Sequence, residues 1–257
     1  QTTSIWMATA NPPALSPLQQ SSRADVCVIG AGIAGLSVAY SLAREGKAVV
    51  VLDDGPIGSG MTERTTAHLS NEIDDSYVEI ERLHGQEGAR IAAASHTAAV
   101  DRIEAVVRDE GIDCDFERLD GYLFPTGEQA EDFLRQEMEA AERAGLSVER
   151  LDRAPVTPLA PGPCLRFSRQ AQFHPLRYLI GLAAAIHRQG GRIYTGSHVS
   201  RVQGGTEAQV ETNDGWRIRA GSTGVPSLSA RTTTASSWSG RCRPRKIPTS
   251  TYSAYST

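Results

Sequence analysis

The sequence has no C-x-x-C pair, and its four cysteines, Cys27, Cys114, Cys164 and Cys242, stand far apart. That excludes a closely spaced zinc or redox pair and a disulfide-dense scaffold. No run of about 18 apolar residues occurs, so no helix is expected to span a membrane. Residues 1–23 are polar, include Pro12-Pro13 and lack the apolar h-region of a secretory signal; they read as a flexible leader, and a reducing cytoplasm is the expected compartment. His84, His96, His187 and His198 share no metal-ligand spacing, so no metal site is expected. The absence of a G-x-S-x-G elbow leaves no support for a Ser-His-Asp hydrolase.

Acid is missing from one end of the chain. All 30 Asp and Glu lie in residues 1–214, beside 19 Lys and Arg, for a formal −11. The last 43 residues hold 7 basic side chains and no acid. Residues 221–257 contain 16 Ser and Thr and no apolar period, a composition that argues against a packed core there. The basic cluster Arg241–Lys246 reads as a solvated stretch, and no nucleic-acid partner is expected.

The chemistry sits near the start. Ala24–Gly30 (ADVCVIG) is a short apolar run closed by glycine, the mark of a buried strand. Residues 33–45 carry Leu36, Val38, Ala39 and Leu42 at helical spacing, and Gly46 stops the helix. Lys47–Leu52 (KAVVVL) is a second buried strand, ending at Asp53. Between the strands lies Gly30-Ala31-Gly32-Ile33-Ala34-Gly35, which is G-x-G-x-x-G in the strand–turn–helix setting that the motif requires. Gly30 permits the tight turn, Gly32 lets a diphosphate approach the backbone, and Gly35 lets the helix pack close to the strand. The positive end of the helix favours the anion. Asp53, 18 residues past Gly35, can accept hydrogen bonds from ribose hydroxyls.

Both NAD and FAD use such a unit. The long polar loop Gly58–Leu69 leans towards FAD, because it can run along an extended cofactor and offer it backbone amides and Thr hydroxyls. Further along, residues 72–111 look helical with a break near Gly85–Gly88, and residues 115–124 look like strand. Residues 128–144 and 175–189 are amphipathic helices. Residues 192–195 should be a third parallel strand. Residues 198–202, 208–212 and 216–220 are short strands, the last two joined through Asn213-Asp214-Gly215. The acids Asp74, Asp75, Glu137 and Glu139 read as solvated helix faces.

The run from Asp25 to Ser70 resembles the FAD-dependent oxidoreductases of the D-amino acid oxidase and glycine oxidase superfamily. It is most similar to the bacterial subgroup whose members often carry a C-terminal Rieske domain. Phe173-His174-Pro175-Leu176-Arg177-Tyr178-Leu179 and the run from Gly190 to Gly205 fit the same pattern, so the resemblance covers residues 24–220. It implies an α/β fold: a FAD-type Rossmann domain with an inserted α+β substrate-side portion at about 72–170, C-terminally incomplete. It implies that Gly30, Gly32, Ile33, Ala34 and Gly35 hold the diphosphate of FAD. Asp53 would bind the adenosine ribose, Asp54 is expected among the cofactor-binding residues, and Val199 would meet adenine through its backbone. Thr62, Arg64, Thr65, Thr66 and Ala67 would lie along the cofactor towards the flavin. Thr65-Thr66-Ala67-His68 has the form of a segment to which some amine dehydrogenases of this superfamily attach FAD. His68 is therefore expected either to bond covalently to flavin or to hydrogen-bond the cofactor or its loop.

The implied reaction is oxidation of the CH–NH bond of an amino acid or amine by hydride transfer to flavin. The electron acceptor is undefined, and no catalytic residue is singled out. The family pattern calls for an apolar strand after Ala220, and the sequence there supplies none; a truncation or shifted reading frame near residue 221 is the expectation. Two alternatives to the flavin enzyme stand: a NAD(P)-linked dehydrogenase, and an inactive fragment that at most binds nucleotide.

Overall fold

The computed structural model describes residues 2–125, 130–155, 162–205, 208–224 and, for the backbone, 251–255. The chain forms two compact units, each assembled from separate stretches. The first takes residues 1–66, 107–114 and 174–237; the second takes 67–106, 115–173 and 238–257.

The first unit is built on a six-stranded sheet. Its strands are β1 (Ser22–Ile29), β2 (Val49–Leu52), β7 (Arg192–Tyr194), β8 (Val199–Gln203), β9 (Ala208–Thr212) and β10 (Arg217–Gly224), in the order β7-β2-β1-β10-β9-β8. The first four in that order run parallel, and β9 and β8 continue antiparallel. Val49-Val50-Val51-Leu52 is buried at every position, as a strand covered on both faces must be. α2 (Ile33–Arg44) turns Gly35, Leu36, Ala39, Tyr40 and Ala43 inward, one helical stripe. α5 (Pro175–Arg188) starts with proline in its first turn, where the missing N–H costs nothing. Leu18, Cys27, Val50, Leu52, Val210 and Ile218 form one core cluster of this unit. Burial pushes the Cys27 thiol up to about 12, so it packs as an inert apolar group.

The second unit carries β3 (His68–Leu69), most of α3 (Tyr77–Glu110), β4 (Glu117–Pro125), α4 (Ala130–Arg143), β5 (Val148–Leu151), β6 (Cys164–Gln172) and β11 (Thr251–Tyr255). Its sheet runs β11-β4-β6-β3, with β5 also on β6. Tyr77, Ala89, Leu123, Leu134, Leu165 and Phe167 build its core. The expected break in α3 falls at Gly85, whose φ of 71° and ψ of 171° leave the helical region and suit glycine best.

Three expectations change. Residues 1–23 are not a free leader: α1 (Ile5–Thr9) forms, Leu18 is buried, and β1 already begins at Ser22. Local composition missed this because the segment's partners are distant in sequence. The strand ending expected at Ala220 continues to Gly224, since Ser222, Thr223 and Gly224 pair in parallel with Val26, Cys27 and Val28; backbone pairing needs no apolar period. Within the tail expected to be disordered, Thr251–Tyr255 pairs antiparallel with β4, and residues 225–250 and 256–257 lie outside the described residues.

Candidate functional site

The parallel strands β1 and β2 end together, and the Gly30 amide donates to the Leu52 carbonyl at 2.8 Å. The chain leaves β1 at Gly30 with φ 110°, a conformation that a Cβ opposes. Gly32 is the N-cap of α2 and offers no side chain to the first-turn amides. Among the described residues, the atom outside its chain neighbours that lies near where its Cβ would stand is the Thr62 hydroxyl oxygen at 3.5 Å. The chain's own packing therefore does not demand glycine at 32. The space that a Cβ would enter borders the N-terminus of α2, the kind of position that favours a phosphate group. Gly35 is buried in the same helix.

Asp53 ties this turn to the next loop. One carboxylate oxygen accepts from the Ala31 amide, and the other accepts from the Gly55 amide at 2.8 Å. Its backbone is fixed too, with the Asp53 amide donating to the Tyr194 carbonyl at 3.0 Å and its carbonyl accepting from the Ser197 amide at 2.8 Å. Burial pushes the carboxyl above the usual carboxylate range, while the two amides pull it back. A carboxylate has about four acceptor positions, so two bound amides leave room for ribose hydroxyls.

The loop after β2 returns to the helix end. The Gly58 amide donates to the Ala31 carbonyl at 3.1 Å, and a short 3-10 turn, Thr62–Arg64, follows. The Ile33 amide donates to the Thr62 hydroxyl at 3.3 Å. Arg64 pairs with Glu63 at 3.2 Å, and the Thr65 carbonyl accepts the Trp6 indole N–H at 2.9 Å. Arg64, Thr65 and Thr66 are exposed. Asp54 is exposed and lies 3.4 Å from His198 Nδ1; Val199, the next residue, opens β8 opposite Thr212.

The first unit thus brings together Gly30, Gly32, Ile33, Ala34, Gly35, Asp53, Thr62 and, through His198, Asp54 and Val199. Ala67 and His68 belong to the second unit. There Ala67 is buried with φ 66°, uncommon for a side chain with a Cβ. His68 pairs with Gln172 across β3 and β6. Partial burial of its ring pushes its pKa below the usual value, although the residue as a whole stays exposed.

Sequence reasoning missed two side chains next to these residues. His198 lies 144 residues from Asp54, and Trp6 lies 59 from Thr65; no local pattern links residues so far apart. Among the described residues, no group of three or more His, Cys, Asp or Glu could hold a metal ion, and no helix is long and apolar enough to cross a membrane.

Residues 25–235 match the family described as "FAD dependent oxidoreductase", known as DAO. The chain belongs to the DAO family of FAD-dependent oxidoreductases. FAD, rather than NAD(P), is the cofactor of this family. The chain is 32% identical over 215 residues to a putative Rieske 2Fe-2S iron-sulfur protein of Bacillus subtilis, covering 84% of this chain and 42% of that protein. It is 33% identical to the gamma-glutamylputrescine oxidoreductase of Escherichia coli, covering 83% of this chain and 51% of that enzyme. The chain therefore spans about half the length of these relatives. In fold it is similar to the L-amino acid deaminase of Proteus myxofaciens (TM-score 0.66, 18% identity, 84% of this chain, 48% of that one). It is also similar to the glycine oxidase of Geobacillus kaustophilus (TM-score 0.62, 19% identity, 79% of this chain, 55% of that one). The G-x-G-x-x-G turn of this DAO-family chain, the start of α2 at Gly32 and the Asp53 carboxylate fit the diphosphate and ribose of FAD.

Proposed function

We propose that this protein oxidises the CH–NH bond of an amino acid or amine, with FAD as its cofactor. The observation that carries the flavin part is the cradle at the ends of β1 and β2: Gly30 in a turn that requires glycine, Gly32 at a helix start where the N-cap residue itself offers no side chain, and Asp53 bonded to the Ala31 amide between them. The names of the relatives support the substrate class, since one acts on an amine and two similar folds act on amino acids.

Bound FAD would supply the acceptor for the hydride that leaves the CH–NH carbon. The chain's own residues would do the rest. Amides of the first turn of α2 would hold the diphosphate, and Asp53 would orient the adenosine ribose. Val199 would meet adenine through its backbone, and the Thr62–Thr66 stretch would line the cofactor.

The test is turnover. The purified chain, supplied with FAD, would be mixed with a panel of amines and amino acids and a dye as electron acceptor. Dye reduction matched by carbonyl product is expected for at least one substrate, and Gly32→Val should abolish both FAD retention and reduction. FAD binding without any dye reduction would contradict the oxidation. Unchanged FAD binding by Gly32→Val would contradict the diphosphate assignment.

A further inference from the structure

The segment before β1 is fastened along the first unit at four places. The Thr195 hydroxyl donates to the Leu15 carbonyl at 2.7 Å, and the Leu18 amide donates to the Ser197 hydroxyl at 2.9 Å. The Arg217 amide donates to the Ser21 hydroxyl at 3.0 Å. The fourth fastening is the short helix α1, capped internally by the Ser4 hydroxyl and tied to Thr65 and His174. None of the α1 residues is fully buried, and Trp6 and Met7 are half-buried, so apolar burial gives only part of what holds it.

Two side chains of α1 add directed contacts. The Trp6 ring meets the His174 ring edge-on, with centroids 5.0 Å apart at 69°, a favoured aromatic geometry. Its indole N–H donates to the Thr65 carbonyl at 2.9 Å. Thr9 meets the same histidine, with its hydroxyl oxygen 2.9 Å from His174 Nε2. The tautomer follows from the neighbours. His174 Nδ1 accepts from the Arg177 amide, a group that can only donate. Nε2 therefore carries the proton and donates to Thr9, whose own hydroxyl donates to the Ile5 carbonyl at 2.6 Å. His174 is also the N-cap of α5 and is itself buried. It is thus a rigid post to which α1 is bound by a directed chain of donors.

The other hand of Trp6 holds the loop. Thr65 directly follows the 3-10 turn Thr62–Arg64, and Thr62 lies against the start of α2 through the Ile33 amide. We propose that Trp6 is a positioning residue for the cofactor loop: it spans from His174 to the Thr65 carbonyl and keeps residues 62–66 in the shape that binds FAD. The assignment to FAD rests on the reading given under Proposed function; the ordering of the loop does not.

Hydrogen exchange and FAD titration of the full chain separate the two. Trp6→Phe keeps a ring against His174 and removes the indole donor; Trp6→Ala removes both. Exchange of the 62–66 amides should rise in Phe and rise further in Ala, while the amides of β1 and β2 keep their rates. The FAD dissociation constant should increase about threefold in Phe and about tenfold in Ala, the range for one net hydrogen bond with and without an aromatic contact. Unchanged exchange at 62–66 would overturn the positioning role, whether or not FAD binds. A rise spread equally over β1 and β2 would overturn it in favour of general destabilisation. Raised exchange at 62–66 with unchanged FAD affinity would overturn the link to the cofactor. A wild-type chain that binds no FAD would overturn the flavin reading and that link together, and the loop's exchange would still decide the positioning.

Discussion

Half-buried Asp53 and fully buried Glu137 each hold two backbone amides, and in each the amides offset part of the cost of burial. Glu72 is the contrasting case. Burial, with Asp74 and Glu137 nearby, pushes its carboxyl up to about 7 from the usual 4.5. Between those values the folded chain holds a proton that the unfolded chain has released. Stability therefore falls as pH rises through the window, and levels off above it. Urea unfolding at pH 5 and pH 8 should show a loss in the wild-type chain that is about 1–3 kcal/mol greater than in Glu72→Gln. An equal loss in both would remove Glu72 from the account. Glu137 was read from the sequence as a solvated face; it is 1% exposed. The reason is its partners: Tyr77 and Val78 lie 60 and 59 residues away, beyond any local pattern. Glu139, two residues on, is exposed as expected.

Elements whose cause is local were legible. The strand–helix–strand run from β1 to β2 follows from an apolar run, a glycine turn and one helical stripe. α4 and α5 follow from amphipathic spacing, and the β9–β10 hairpin from Asn213-Asp214-Gly215, where the Gly215 amide donates to the Thr212 carbonyl at 2.9 Å. β6 was not legible. Its burial does not alternate cleanly, because it takes β4 and β5 along its length and β3 at its end. β3 has two residues and exists only through that pairing. The start of α3 also has a non-local cause. Its first amides, at Tyr77 and Val78, donate to the Glu137 carboxylate of α4 at 2.7 and 3.0 Å, while the local N-cap Ser76 serves the Glu79 amide at 3.3 Å. Nearby, the Tyr77 hydroxyl donates to the Asn71 carbonyl, and Gln170 bonds both the amide and the side chain of Asn71. Glu137→Ala should cost about 1–3 kcal/mol by leaving one buried and one half-buried donor unmet, read as a lower urea midpoint with an unchanged slope. Glu137→Gln should recover part of it. A loss below about 0.5 kcal/mol in the alanine variant would show that water serves those amides instead.

Over the whole chain, the two units are interleaved in sequence: the first takes three separate stretches and the second takes three. The stretch 107–114 illustrates the consequence. It belongs to the first unit, where the His174 amide donates to the Cys114 carbonyl at 2.6 Å and the Tyr40 hydroxyl donates to Glu110 at 2.6 Å. The proposed cofactor cradle would draw on the first 62 residues and on Val199, so it would form only when distant parts of the chain have joined the same sheet. FAD binding is for that reason a test of the assembled first unit as well as of the motif. The most direct measurement is the visible absorption spectrum of the purified chain, incubated with FAD and freed of excess, before and after acid precipitation. The account predicts flavin bands that co-purify with the chain and appear in the supernatant after acid; bands kept in the pellet would mean a covalent attachment, with His68 the first side chain to replace. A chain that shows no flavin bands after incubation with FAD would contradict the account.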